Sequence, residues 1–331
     1  MTTTGQFDYT NMVDTCQPLS DKSSTGKERP WTEHRRAAEL LSVIYTSIDG
    51  KKAYRVRECA PLLGFIEDPD TGKKKLKTAW FCRVRLCPVC QWRRSLKIYG
   101  QAIKVIAAAD KEKKHGWIML TLTVKNVEGV DLDNEIDLLL ESWRRLTRSK
   151  EWKTRVLGCM RSLEVTHNLK WNTSSFNTFH PHIHALLCVE TNYFSGHKYL
   201  SRKKWADLWK TAAKLDYDPQ IYVTRVKGDN AKAIAEIAKY ATKTGDYILP
   251  DDLDLMNETV RVLDEALAYR RLISWQGNLK KIKSDLGLDD IDEGDLINVG
   301  DDQNIELDQE HIRFYQWIAS QNEYFAVRKF E

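Results

Sequence analysis

The sequence predicts an α+β protein built on an antiparallel sheet, with the element order strand, helix, strand, strand, helix, strand. Three observations carry this reading. Trp117 to Val124 alternates, with Ile118, Leu120, Leu122 and Val124 on one face and Met119, Thr121 and Thr123 on the other. That period of two is the mark of a half-buried strand. Met160–His167, Ile183–Val189 and Ile221–Val226 are further apolar strand candidates. Between them lie two helical stripes: Ile136, Leu139, Leu140, Trp143 and Leu146 within Asn134–Ser149, and Trp205, Leu208, Trp209 and Ala212 within Arg202–Lys214. The order is the ferredoxin-like split βαβ pattern, which puts the helices mainly on one face of the sheet.

The remaining elements flank this core in a chain of 331 residues, long enough for one large domain with appendages. Residues 1–30 are rich in Thr, Ser, Asp and Lys with few apolar side chains, a composition that predicts disorder. Residues 31–110 are expected to form a helix (Glu33–Ile44), a short strand (Tyr54–Glu58) and a cysteine-bearing basic region. Residues 111–250 hold the sheet core, ending in a helix over Asn230–Lys243 that Gly245 stops. Residues 251–331 form a mainly helical extension of unassigned role, with an amphipathic helix through Met256, Val260, Leu263 and Leu267. Two short strands around Ser320-Gln321-Asn322 close it.

The formal net charge of +4 hides a polarised distribution. From Thr71 to Ala109 there is no acidic residue, while Lys73, Lys74, Lys75, Lys77, Arg83, Arg85, Arg93, Arg94, Lys97 and Lys104 all fall there. From Ser284 to Glu310 there is no Lys or Arg, and Asp289, Asp290, Asp292, Glu293 and Asp295 head that run. The basic run suits a polyanion partner, and the acidic run reads as a solvated surface. Trp92, Leu96, Tyr99, Ile103 and Ile106 mark the apolar stripe of a helix through this region, which leaves Arg93, Arg94, Lys97 and Lys104 on faces open to nucleic acid. No signal peptide and no membrane-spanning run is legible, so a cytoplasmic protein with reduced cysteines is expected. Cys59, Cys82, Cys87 and Cys90, the last three in the order Cys-x4-Cys-Pro-x-Cys, then read as a four-thiolate zinc site. Trp80 and Phe81 within the basic run add a means of stacking on bases.

The chemistry centres on Phe179-His180-Pro181-His182-Ile183-His184. On a strand His182 and His184 face the same way, about 7 Å apart. His180 would share that face, but Pro181 is expected to mark the start of the strand. On the preceding strand Leu163 and Val165 share the apolar face and Glu164 takes the other. If the two strands pair, Glu164 joins the histidines in a mixed nitrogen and oxygen site, suited to Mg²⁺ or Mn²⁺ and, by its imidazoles, to zinc. Glu236, Tyr240 and Lys243 are spaced by four and three, which puts them on one helix face.

These motifs resemble the HUH endonucleases. Phe-His-Pro-His-Ile-His-Ala-Leu-Leu looks like their His-hydrophobe-His signature. Leu-Thr-Leu-Thr-Val at 120–124, Ser-Leu-Glu-Val-Thr-His-Asn at 162–168, Glu-Ile-Ala-Lys-Tyr-Ala-Thr-Lys at 236–243 and the cysteine motif resemble the single-tyrosine branch, the rolling-circle replication initiators (Rep) of bacterial plasmids. The resemblance covers roughly residues 54–250. It implies nicking of one strand of plasmid origin DNA, at a single-stranded or hairpin site, with joining to the 5′ end. By the same resemblance His182, His184 and Glu164 hold the catalytic metal and Tyr240 is the nucleophile. Glu236 then serves terminal hydrolysis, Lys243 contacts phosphate or aids the tyrosine, and a host helicase and polymerase are partners. Related relaxases place the tyrosine before the histidines, and here it follows. Tyr247, seven residues after Tyr240, is too far for the two-tyrosine spacing. A zinc-stabilised DNA-binding regulator without catalysis would leave the His, Glu and Tyr set idle. A small-molecule metallohydrolase would leave the basic run idle.

Overall fold

The computed structural model describes residues 13–23, 25–68, 70–227, 231–238, 243–300 and 312–327. The first half of the chain runs β1 (Val13–Pro18), α1 (Trp31–Tyr45), α2 (Gly50–Arg57), β2 (Leu62–Glu67), β3 (Lys74–Ala79), α3 (Pro88–Glu112), β4 (His115–Thr123), α4 (Leu132–Arg148), α5 (Lys150–Lys153) and β5 (Val156–Asn168). The second half runs β6 (Thr178–Glu190), α6 (Arg202–Ala213), β7 (Ile221–Val226), α7 (Ala231–Ile237), α8 (Leu253–Ala266), β8 (Ile273–Gln276), α9 (Gly277–Asp285), β9 (Ile312–Ile318) and β10 (Glu323–Val327). The protein is thus α+β, with two antiparallel five-stranded sheets among the described residues. They belong to two compact units, Met1–Arg93 with Asp295–Glu331, and Arg94–Gly294. Among the described residues no helix is long and apolar enough to cross a membrane.

In the first unit the strand order is β1-β10-β9-β2-β3. Three expectations change here. The stretch expected to be disordered supplies β1, which pairs with β10, so its order comes from a partner some 300 residues away that composition cannot reveal. Residues 54–58 are not a strand: they end α2, whose first turn is capped by Asp49 accepting from the N–H groups of Lys51 and Lys52. The C-terminal hairpin β9–β10 forms as expected, but in this sheet rather than in a separate extension.

Two members of the expected DNA-contacting set are structural in this unit. Arg93 is fully buried. Its guanidinium donates to the carbonyls of Leu296 (2.9 Å) and Ile297 (2.6 Å) and lies over the rings of Trp31 and Trp92. Lys74 is buried in β3 and pairs at 2.8 Å with Glu67, its cross-strand neighbour in β2.

In the second unit the order is β7-β4-β6-β5-β8. Leu120, Leu122, Leu163, Ile183, Ala185 and Leu187 bury one face of the sheet. Trp143, Trp152 and Trp205 meet edge to face among α4, α5 and α6. Trp209 of α6 donates its indole N–H to the Thr123 carbonyl at the end of β4. Ser149, Ser201 and Asp252 cap α5, α6 and α8 through their side chains. Strand β8 adds beyond β5, so residues 251–294 belong to this sheet unit while 295–331 return to the first.

The acidic run is not a solvated surface. Asp289 accepts from Lys97 Nζ at 2.7 Å and from Gln101 Nε2 at 3.0 Å, and Asp292 lies 3.7 Å from Arg94. Arg94 and Lys97 are therefore buried and partnered rather than open to nucleic acid. The inward face of α3 is Arg94, Lys97, Ile98, Gln101, Ala102 and Val105, whereas Ile103 of the expected stripe is exposed.

Candidate functional site

Strand pairing builds the metal face. In the β5–β6 hairpin Glu164 stands opposite His182 and Ser162 opposite His184. On the other side of β6, Thr123 stands opposite His182 and Thr121 opposite His184. Residues opposite one another share a face. Glu164 Oε2 lies 3.2 Å from His184 Nε2 and 3.6 Å from His182 Nε2. The three donor atoms lie within 4.8 Å of one another in buried positions, a set that can hold one metal ion.

Two groups that sequence reasoning missed orient the imidazoles. His184 Nδ1 is 3.0 Å from Thr121 Oγ1, and His182 Nδ1 is 3.0 Å from the His180 carbonyl. With a metal bound, Nδ1–H donation to these oxygens would leave each Nε2 lone pair free for the ion. This outer shell of hydrogen bonds fixes tautomer and ring direction. Burial raises the Glu164 carboxyl, but hydrogen bonds and charge from both imidazoles outweigh it and hold the group below the ordinary carboxylate range. Thr121→Val keeps the shape and removes the acceptor. The expected result is a fall in Mn²⁺ affinity of about 10- to 100-fold in calorimetric titration, with the fold retained.

The start of the strand corrects one expectation. Strand β6 begins at Thr178, three residues before Pro181, and Pro181 pairs opposite Val165 of β5. The ladder to β4 ends at the Thr123–His182 pair and pairing on that side resumes only at the Phe179–Val127 bridge, so Pro181 sits in the gap, where its missing N–H costs no ladder bond. His180 lies on the metal side but is held by the Val124 carbonyl, 3.0 Å from its Nε2. His167 is a core histidine, stacked on Phe179 and 3.1 Å from the Asp246 carbonyl.

The tyrosine-bearing segment is reached from both sides. Helix α7 brings Glu236 Oε1 to 3.9 Å from His184 Nε2. Tyr240 lies outside the described residues. Lys243 resumes the chain, exposed, and leads into a turn ending at Asp246. Asp246 gives its backbone carbonyl to His167. Burial raises the Asp246 carboxyl, with Lys243 pulling it down and Glu164 pushing it up. Tyr247 is fully buried.

The four cysteines form a second cluster, in the first unit. Cys59, Cys82, Cys87 and Cys90 are buried and can hold a metal together. The sulfurs of Cys59 and Cys82 each lie 3.6 Å from that of Cys90. A tetrahedron with Zn–S of about 2.3 Å has sulfur edges of about 3.8 Å, while a disulfide would need about 2 Å. The Cys82 N–H points at Cys59 Sγ and the Arg83 N–H at Cys90 Sγ. Ala60 and Arg83, each following a cysteine, take left-handed backbone at φ 52° and 58°. Such conformations persist only where the surroundings impose them. Of the remaining basic set, Lys73 and Arg83 are exposed, and Lys75 and Arg85 half-buried.

Comparison with known proteins now identifies the family. The sequence profile of the family described as "Replication protein" matches residues 73–325. A Bacillus amyloliquefaciens "Protein rep" is 42% identical over 313 residues, covering 86% of this chain and 90% of the relative. The chain belongs to the Rep family of plasmid replication initiators. Further Rep relatives come from Lactiplantibacillus plantarum, 36% identical with 93% of this chain and 98% of the relative covered, and from Streptococcus pneumoniae, 37% identical with 94% and 96% covered. No solved structure matches this Rep chain.

Proposed function

We propose that this Rep protein is a metal-dependent HUH endonuclease. It nicks one strand of plasmid origin DNA, joins the 5′ end to Tyr240, and uses Glu236 for hydrolysis at termination. The observation that carries the reading is the convergence of Glu164, His182 and His184 on one sheet face, with Glu236 of α7 beside His184. The neighbour order β7-β4-β6-β5 supports a ferredoxin-like core of the HUH type.

The residues fit a divalent ion, Mg²⁺ or Mn²⁺. Two oriented Nε2 lone pairs and one carboxylate supply the donors. Ser162 Oγ, buried opposite His184 with no hydrogen-bond partner among the described residues, is a further polar group on the same face. When bound, the ion stabilises negative charge developing on the scissile phosphate. Thr121 and the His180 carbonyl keep the imidazoles aimed. The Tyr240 phenol, with an ordinary pKa near 10, must lose its proton to attack phosphorus. Lys243 offers its cation to that phosphate. Glu236 is partly exposed, so its carboxylate has access to water and can act as a general base. Zinc at the cysteines is structural, and Lys73, Lys75, Arg83 and Arg85 are the remaining phosphate contacts of the basic run. A host helicase and polymerase complete the replication machinery in the cytoplasm.

The test is incubation with single-stranded origin DNA and divalent metal, followed by a denaturing gel for a protein–DNA adduct. Tyr240→Phe is expected to bind the DNA and form no adduct, whereas Tyr247→Phe should form it. Glu236→Ala is expected to nick and form the adduct but fail to release unit-length circles. Loss of the first nick in that variant, with the fold intact, would move Glu236 to the initiating step.

A further inference from the structure

The turn that joins β5 to β6 presents an aromatic group that neither metal cluster uses. Residues 168–178 are braced by their own polar groups. Asn168 Nδ2 donates to the Ser175 carbonyl (2.9 Å) and Oγ (2.6 Å), and Asn168 Oδ1 accepts from the Lys170 N–H (3.2 Å). Thr173 Oγ1 donates to the Lys170 carbonyl (2.8 Å), and the Asn177 N–H to the Asn168 carbonyl (2.9 Å). Asn172 and Asn177 take left-handed backbone at φ 63° and 56°, which asparagine tolerates. Asn177 also meets His167 Nε2 at 2.8 Å, which ties the turn to β5.

On this braced turn Trp171 is 68% exposed. Its ring stacks on Phe176, with centroids 4.1 Å apart and planes at 24°. Phe176 thus covers one face of the indole and fixes its direction before any ligand arrives, so a second ring can stack on the open face with little loss of side-chain freedom. Between Asn168 and Thr178 there is one lysine, no Asp or Glu, and a series of hydroxyl and amide side chains. Those groups suit phosphate and sugar, and an exposed aromatic face suits an unpaired base. The strands that leave the turn carry Glu164 and His182, each four residues from its inner end, or about 13 Å at 3.3 Å per residue. A DNA strand with its phosphate at the metal face comes within a few nucleotides of Trp171.

We propose that Trp171, backed by Phe176, is a stacking platform for one unpaired base of the strand flanking the scissile phosphate. The proposal rests on the nuclease reading above. The test uses the full chain and single-stranded origin oligonucleotides in which one abasic site is walked across the flanks of the nick, with affinity read by fluorescence anisotropy. Trp171→Ala is expected to weaken binding of the intact oligonucleotide by about 5- to 150-fold, and Trp171→Tyr to restore most of it. One abasic position should weaken the wild type by a similar factor and cost Trp171→Ala nothing more. If Trp171→Ala binds as the wild type does, with the same abasic profile, the platform is overturned, and adduct formation by the wild type leaves the nuclease reading standing. If the wild type neither binds single-stranded origin DNA nor forms the adduct, both fall.

Discussion

Replacing His184 with Ala is expected to lower nicking of origin DNA by more than about 10³-fold in a protein that remains folded. A metal ion at a phosphoryl centre contributes several kcal/mol of charge stabilisation, and each 1.36 kcal/mol is tenfold in rate. Removing one of three donors forfeits most of that. His184 is the donor nearest to Glu164 and also the one beside Glu236, so its loss disturbs both carboxylates. Glu164→Gln is the companion variant: it keeps the size of the side chain and removes the charge that the two imidazoles stabilise. Both variants should lose the burst of adduct and the calorimetric Mn²⁺ titration together. Undiminished nicking in either, or in excess chelator, would separate the Glu164, His182 and His184 cluster from the reaction.

Cys90→Ser is expected to have the larger effect on folding. Cys90 is the sulfur within 3.6 Å of both Cys59 and Cys82, and it also receives the Arg83 N–H. Burial and the neighbouring cysteines push the Cys59 thiol well above its usual range, and burial likewise raises that of Cys82. A metal has to displace those protons, and in doing so it relieves four buried groups that otherwise repel as thiolates. Structural zinc sites contribute apparent free energies of about 10–16 kcal/mol, as large as the whole stability of an ordinary domain at about 5–15 kcal/mol. The wild type should carry one zinc per chain by elemental analysis, and His182→Ala with His184→Ala should keep it. Cys90→Ser should lose the metal and the near-ultraviolet signal of the Trp31 and Trp92 pair. A metal-free wild type with that signal intact would refute the assignment.

What could be read from the chain alone was whatever a period of two or of 3.6 encodes. His182, Ile183 and His184 alternate on any strand, and Glu164 alternates with Leu163 and Val165 on the next. Pairing the two strands was enough to bring the three polar groups together. The Thr121 hydroxyl and the His180 carbonyl could not be found that way, because their roles depend on the register of β4 against β6 and on ring orientation. Alternation alone puts Thr121 on the polar face of its strand, and only the register sets it opposite His184. The charges failed for a different reason. Arg93, Arg94, Lys97 and Lys74 look the same in sequence whether they face phosphate or a carbonyl, and three of their partners lie near residue 290, about 200 positions away. The acidic run and the basic run are each legible in the sequence, yet nothing local says that they satisfy one another. Strand β1 was hidden likewise, since its order depends on β10.

The first sheet has a consequence for how the protein is made. Strand β9 lies between β10 and β2, so pairs such as Leu63–Tyr315 join positions about 250 residues apart. Synthesis runs from the N-terminus. Every residue of the second unit, Arg94–Gly294, leaves the ribosome before Ile312 does. That unit can finish folding while the β2–β3 hairpin still waits for its third strand with an open edge, a state prone to wrong pairing. All four cysteines have emerged by then, and a metal gathered by Cys59, Cys82, Cys87 and Cys90 would hold the waiting hairpin near α3. A chain stopped after Gly294 would keep all five strands of the sheet that carries the metal face and lack β9 and β10, two strands of the sheet in the unit that holds the cysteines.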